Sequence, residues 1–168
     1  AVSDYKSDFV LFPEYFNAPL MAKFNHLGEA QSIRGLAQYT EEVRDRFINL
    51  AISYNINIIT GSMPYVKEDG GLYNVGFLVR RDGTYEMYEK VHVTPDEIKS
   101  WGLSGGKMVQ TFDTDCAKIG ILICYDVEFP ELSRIMADQG MQILFVPFLT
   151  DTQNGYSRVR VCAQARAI

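Results

Sequence analysis

The sequence predicts an α/β layered fold built on a mixed sheet. Apolar runs of strand length alternate with segments of helical period, and a hairpin signal is set among them. The 168 residues show no shift in composition, no repeat and no low-complexity tract, so they read as one domain with room for a sizeable core.

The elements follow in order. Asp8-Phe9-Val10-Leu11-Phe12 is a short apolar run closed by Pro13, a buried strand. Residues 17–39 carry no strong period and contain Gly28 and Gly35, which predicts a long, partly helical loop. A helix is expected from Thr40, with Thr40 as its N-cap and Glu41 and Glu42 in the first turn, where the helix dipole favours them. Val43, Phe47, Leu50, Ala51 and Tyr54 recur at helical spacing as one apolar stripe, and Asn55 closes the helix. Ile56 to Thr60 is the next strand. Leu72 to Arg80 and Thr84 to Tyr88 flank Arg81-Asp82-Gly83, a hairpin signal. Met108 to Phe112 and Lys118 to Cys124 make a second strand pair around a polar turn. Glu128 to Gln139 reads as a helix with Phe129, Leu132, Ile135 and Met136 on one face, Pro130 in its first turn and Gly140 as its stop. Met141 to Val146 is continuously apolar, the pattern of a central strand. Gly155 to Ile168 is a final helix that runs to the last residue with no stop signal, as in a chain cut inside a helix.

Composition narrows the function classes. Hydrophobic residues make up 47% and charged residues 22%, an ordinary globular balance that argues against disorder. A formal net charge of −5 speaks against nucleic acid as a partner. No apolar run approaches the length that crosses a bilayer, so no membrane partner is expected. The start, Ala1-Val2-Ser3-Asp4, carries neither a signal peptide nor an initiator Met, as expected of a processed start or a fragment. The cysteines are Cys116, Cys124 and Cys162, an odd count that fits no disulfide framework. With only His26 and His92 beside them, no zinc spacing is present, and no metal or organic cofactor is called for. A reducing, cytoplasmic setting is the default for such thiols.

Chemistry concentrates where apolar strands end. A buried strand leads into Cys124 and a helix opens a few residues later, so a thiol there is held rigidly above the sheet edge. The nearby helix N-terminus favours a thiolate, and backbone N–H groups such as that of Tyr125 can face a developing oxyanion. By position alone, Cys124 reads equally as a buried core thiol. Phe12-Pro13-Glu14-Tyr15-Phe16 places a carboxylate just past another strand, and Tyr88-Glu89-Lys90-Val91-His92 places an ammonium just past a third. Each alone reads as a solvated surface charge.

Together, and in this order, the segments F-P-E-Y-F, Y-E-K-V-H and I-L-I-C-Y-D-V-E-F-P-E-L-S-R, with the terminal A-Q-A-R-A-I, resemble the nitrilase (carbon–nitrogen hydrolase) superfamily. The resemblance covers essentially the whole chain. K-V-H-V-T-P-D-E-I and L-T-D-T-Q-N-G-Y-S-R-V-R are similar to the branch linked to an acetyltransferase domain. The resemblance implies a four-layer αββα sandwich, with residues 1–168 as a partial domain incomplete at both ends: an N-terminal strand and a C-terminal part lie outside it. It implies a Glu–Lys–Cys triad in which Glu14 is the general base, Lys90 the oxyanion stabiliser and Cys124 the nucleophile. It implies a second Glu soon after the Lys, matched by Glu97 with Asp96 as its neighbouring alternative. Glu128, four residues past the nucleophile, is a candidate substrate contact that would favour a cationic or hydrogen-donating substrate end; it reads equally as a helix N-terminal carboxylate satisfying the dipole. Tyr15, Phe148 and Tyr156 are candidate pocket residues.

The activity so implied is hydrolysis of a non-peptide carbon–nitrogen bond in a small-molecule amide, or less readily a nitrile, through a thioester on Cys124. Two alternatives stay open. A Cys–His hydrolase would use His92, two residues from Lys90 and on the same face if the strand continues. A non-catalytic domain would use the fold for ligand binding or assembly. The resemblance also implies a homodimer or larger homo-oligomer, with the helix after Cys124 and the final helix at the interface. Tyr156, Val159, Ala163 and Ala167 form a modest stripe there.

Overall fold

Strands form where the apolar runs fall, and they assemble into two sheets. In the computed structural model, which describes residues 2–167, the first sheet holds β1 (Phe9–Leu11), β2 (Asn57–Ile59), β3 (Met63–Val66), β4 (Leu72–Val79), β5 (Tyr85–Glu89) and β6 (Leu103–Ser104). β4 is its axis: it pairs antiparallel with β2, β3 and β5 and parallel with β6, while β1 runs parallel to β2. The second sheet is β7 (Thr111–Asp113), β8 (Lys118–Ile121) and β9 (Ile143–Phe145), with β7 antiparallel and β9 parallel to β8. The mixed sheet and the β4–β5 hairpin are as the sequence predicts.

The layers follow from which side chains go where. Along β4, Val75, Phe77 and Val79 pack on Phe47 and Ala51 of α2 (Thr40–Tyr54), while Leu78 faces the other way. There it joins Ile59 and Tyr88 against Phe112, Ile119 and Ile121 of the second sheet. On the far side of that sheet, Leu132 and Met136 of α3 (Pro130–Asp138) pack against Leu122. The order is helix, sheet, sheet, helix, the αββα sandwich of the nitrilase type. Being covered on both faces is why β4 reads as nearly continuous apolar sequence. Truncating Leu78 to Ala in this core would cost roughly 2–5 kcal/mol. α1 (Glu29–Leu36) covers the end of the first sheet through Ile33 and Leu36, and α4 (Gln153–Arg166) closes the inter-sheet core with Val159.

One crossing fixes how the site strands approach. Gly61 adopts φ +69°, and a Cβ on it would lie 2.0 Å from the Pro13 carbonyl oxygen. A Cβ on Gly76 would lie 2.1 Å from the Gly61 oxygen, which also accepts the Tyr88 hydroxyl. Backbone therefore touches backbone along a line from Pro13, beside Glu14, to Tyr88, two residues before Lys90.

Several expectations are corrected. Residues 17–39 are mostly helical: a 3₁₀ stretch at Ala18–Phe24, then α1, then a short turn at Ala37–Tyr39. Thr40 does not cap α2; it lies inside the first turn, fully buried, and its hydroxyl donates to the Pro64 carbonyl at 2.6 Å. Leu50 and Tyr54 stay exposed, and Ile48 packs on the core beside Val43, Phe47 and Ala51 instead. Asn55 does close α2, in the left-handed region at φ 49°. β8 stops at Ile121, and Cys124–Glu128 is a 3₁₀ turn ahead of α3, so that helix starts at Pro130, not Glu128. Ile135 is exposed, off the buried face. β9 lies at the edge of its sheet, not at the centre, and its Ile143 is 39% exposed. α4 begins at Gln153, capped by the Thr152 hydroxyl, and ends at Arg166; Ile168 lies outside the described residues. On the final helix, Val159 and Ala163 pack on the chain's own core and Ala167 is exposed.

Candidate active site

Three chain segments leave their strands at one end of the sandwich. Glu14 follows β1 in a turn where Tyr15 adopts φ 48°. Lys90 follows β5 directly. Cys124 follows β8 at φ 49° and opens the 3₁₀ turn. A fourth side chain, Glu97, starts a short π-helical turn, Glu97–Trp101. All four are buried, with Glu14 at 3% and Lys90 at 2% exposure.

A lysine withdrawn this far from water needs paired charges around it. Lys90 Nζ donates to Glu14 Oε1 at 2.9 Å and to Glu97 at 2.9 Å (Oε1) and 2.8 Å (Oε2). Burial opposes the ammonium, yet Glu14 and then Glu97 outweigh it and raise the Lys90 pKa. Glu97 is likewise opposed by burial, but Lys90 holds its carboxyl below the usual range. Tyr15 donates its hydroxyl to Glu97 Oε1 at 3.0 Å, and the Thr94 N–H donates to Oε2 at 2.8 Å. Asp96 is exposed, so of the two acidic neighbours Glu97 is the one turned inward.

Glu14 differs from Glu97. Burial dominates and raises its pKa, with Lys90 only partly offsetting it. Its Oε1 accepts from Asn74 Nδ2 at 3.0 Å and its Oε2 from the Leu149 N–H at 3.0 Å. Cys124 lies beside it. Burial first, then the Glu14 carboxylate, push this thiol up to about 12, so it is neutral at rest. That corrects the expectation of a thiolate favoured by a helix end: burial and an adjacent anion outweigh a short 3₁₀ turn. The arrangement sets a neutral thiol against a carboxylate able to take its proton, with a fixed ammonium alongside.

These four groups face a cavity of about 670 Å³. Tyr15 and Tyr125 line it too, and Tyr125 occupies the second position of the turn, where helical geometry leaves the N–H without an internal acceptor. Glu128 lines it and accepts from Arg158 Nε at 3.3 Å. Phe148 and Tyr156 do not line it. Their rings sit 6.1 Å apart, and Phe148 packs on the inter-sheet core. His92 is not part of the lining either: its Nδ1 stands 3.1 Å from Asp126 Oδ1, and its ring stacks on Phe129 at 3.7 Å. Cys116 sits exposed in the turn after β7, and Cys162 is half-buried on α4.

Asn74, Thr94 and the Leu149 N–H were not anticipated from sequence. A fully buried Asn inside an apolar strand was a signal that could have been read. A backbone N–H 135 positions from its acceptor leaves none.

Comparison with known proteins bears on this arrangement. The chain matches the family model for carbon-nitrogen hydrolase over residues 1–168. It is 51% identical over 166 residues to "Probable hydrolase YhcX" of Bacillus subtilis, covering 99% of this chain and 32% of that protein. It is 32% identical over 172 residues to "Omega-amidase NIT2" of Homo sapiens, covering 95% of this chain and 58% of that protein. The chain thus spans about a third of the first relative and under three fifths of the second. Among solved structures, it superposes on Saccharomyces cerevisiae Nit3, a member of branch 10 of the nitrilase superfamily, with TM-score 0.77 and 26% identity, covering 99% of this chain and 60% of that one.

Proposed function

The chain belongs to the carbon–nitrogen hydrolase family, and on that premise we propose that its cavity hydrolyses a small-molecule amide, less readily a nitrile, through a thioester on Cys124. The observation that carries this reading is that Cys124, Glu14, Lys90 and Glu97 line one cavity, with Lys90 bonded to both carboxylates.

Cys124 sulfur attacks the amide carbon as Glu14 takes the thiol proton. The carbonyl oxygen becomes an oxyanion, met by the Lys90 ammonium and the Tyr125 N–H. Glu14 passes its proton to the nitrogen, the C–N bond breaks, and ammonia or an amine leaves the thioester behind. Glu14 then takes a proton from water as the hydroxyl attacks the thioester; the second oxyanion collapses, the C–S bond breaks and sulfur recovers the proton. A carboxylate with a raised pKa suits both transfers, since it accepts and releases a proton more evenly than an ordinary one. Glu97 keeps Lys90 charged throughout.

The test is a panel of amides and nitriles given to the full-length protein, with Cys124→Ala as control. Amide turnover lost in the control is expected. In wild-type protein quenched during turnover, peptide-level mass analysis should find an acyl adduct on Cys124; an adduct on another residue would overturn the assignment.

Residues 1–168 are read as part of one longer hydrolase domain. Among the described residues no helix is long and apolar enough to cross a membrane, and a free nucleophilic thiol suits a reducing cytoplasm. Association into a homodimer or larger homo-oligomer would use the outer side of α4, where Tyr156 and Val161 are exposed. Sedimentation of the full-length protein at micromolar concentration tests it, and a concentration-independent monomer would end the idea.

A further inference from the structure

Asp126 stands two residues beyond Cys124, is 1% exposed, and has no part in the steps above. A carboxylate taken this far out of water must be met by donors. Its carboxylate is met by the two residues after Lys90. The Val91 N–H donates to Oδ2 at 3.1 Å, the His92 N–H donates to Oδ1 at 2.7 Å, and His92 Nδ1 stands 3.1 Å from Oδ1. Burial raises the Asp126 pKa, and these same donors act against that rise.

The carboxylate is also fixed from behind. The Asp126 N–H donates to the Ile123 carbonyl at 3.0 Å, and its own carbonyl accepts the Phe129 N–H at 3.1 Å. Phe129 in turn carries the stacked His92 ring. Lys90 leaves the first sheet and Cys124 leaves the second. Among the described residues no strand pairing joins those sheets; their shared core is apolar side chains, which fix a spacing less strictly than directional bonds do.

We propose that Asp126 is a positioning residue: a carboxylate clamp that fastens the chain behind Lys90 to the turn behind Cys124 and so sets the ammonium-to-sulfur spacing on which oxyanion stabilisation depends. The role in turnover rests on the triad reading; the clamp itself does not. A displacement of about 1 Å at a reacting pair can cost around 100-fold in rate. Asp126→Asn puts an amide donor where a backbone donor now points, and it keeps the side chain's size.

The experiment uses full-length protein and two variants. Asp126→Asn should lose about 100-fold in kcat with KM changed less than about threefold, at a Tm close to wild type. His92→Phe keeps the stack on Phe129 and removes one donor of three, so its loss should be only severalfold. Backbone exchange at Val91 and His92 reads the clamp without needing turnover: both amides should be protected in wild type and at least one should open in Asp126→Asn, with the core still protected. Wild-type turnover that is unchanged in Asp126→Asn overturns the positioning role. Val91 and His92 amides that stay protected in the variant overturn the clamp. A kcat loss that merely tracks a fall in Tm also overturns the positioning role, since a structural defect would do the same. A wild type that turns over no amide condemns the triad reading instead, and the exchange result then still decides the clamp.

Discussion

Two places in this molecule set a thiol beside a cation held between two carboxylates. One is Cys124 with Glu14, Lys90 and Glu97. The other is Cys116 with Asp8, Arg81 and Asp115. At the second, Arg81 Nη2 lies 3.1 Å from Asp8 Oδ1, and Arg81 Nε lies 3.1 Å from Asp115 Oδ2, close enough for charge pairing though the N–H is not aimed at that oxygen. Cys116 Sγ is 3.2 Å from Asp115 Oδ1. The inventories match, and the settings do not. Asp8 and Asp115 are exposed, so water screens the pair. The Cys124 group is buried at the floor of a cavity, where each charge depends on its partner. Residue types do not make a site; enclosure, with an opening for a reactant, does.

Removing the cation should break the comparison most visibly. Lys90→Met leaves two carboxylates facing each other in the core, and the expected loss is about 3–5 kcal/mol of stability together with activity. Arg81→Met should cost under about 1 kcal/mol. Urea unfolding of both variants decides it. Equal losses would mean that the buried group is no more dependent on its cation than the surface one.

A smaller effect concerns pH. Glu14 must be ionised to act as base, and its pKa is raised mainly by burial. Activity should therefore fall as pH drops through a midpoint above the ordinary carboxylate range. Lys90 is raised too, so it stays charged across the same window and adds no limb near neutrality. A kcat/KM profile flat down to pH 4 would contradict this.

The two thiols supply the finest test. Cys116, though exposed, is pushed up to about 11 by partial desolvation and by Asp115, and Cys124 to about 12 by burial and Glu14. Neither is a standing thiolate. With iodoacetamide, the Cys116 rate should climb about tenfold per pH unit up to its pKa, since only thiolate reacts. The Cys124 rate should instead fall when Glu14→Gln removes its base, a change that leaves Cys116 alone. Peptide-level mass mapping separates them. A Cys124 rate insensitive to Glu14 would count against base assistance.

How much of this was legible beforehand follows from range. The β4–β5 hairpin and α2 announce themselves locally, through Arg81-Asp82-Gly83 and a helical apolar period. The strand exits at Glu14, Lys90 and Cys124 were visible because each charge or thiol follows an apolar run. β3 was missed because Pro64 interrupts its pattern; it is tolerated at the end of the sheet order, where one side of the strand is unpaired. α1 is only eight residues long, too short for a periodic signal. Thr40 looked like a cap because the partner that claims its hydroxyl, Pro64, lies 24 residues away. Asn74 reaches Glu14 across 60 positions, and no local pattern encodes that.

Cys124 sits at φ 49°, a region that L-residues other than Asn and Asp seldom enter. A β-carbon placed there carries roughly 1–2 kcal/mol of backbone strain, eased for Asn and Asp and absent for glycine. The usual ranking of Ala over Gly should therefore invert at this position: Cys124→Gly should be more stable than Cys124→Ala by about 1 kcal/mol. A library selected only for folding or expression would drift toward glycine at 124, discarding the thiol as it gained robustness. Laboratory evolution of this scaffold must therefore keep turnover under selection at every round, because stability alone pulls the sequence away from the reaction.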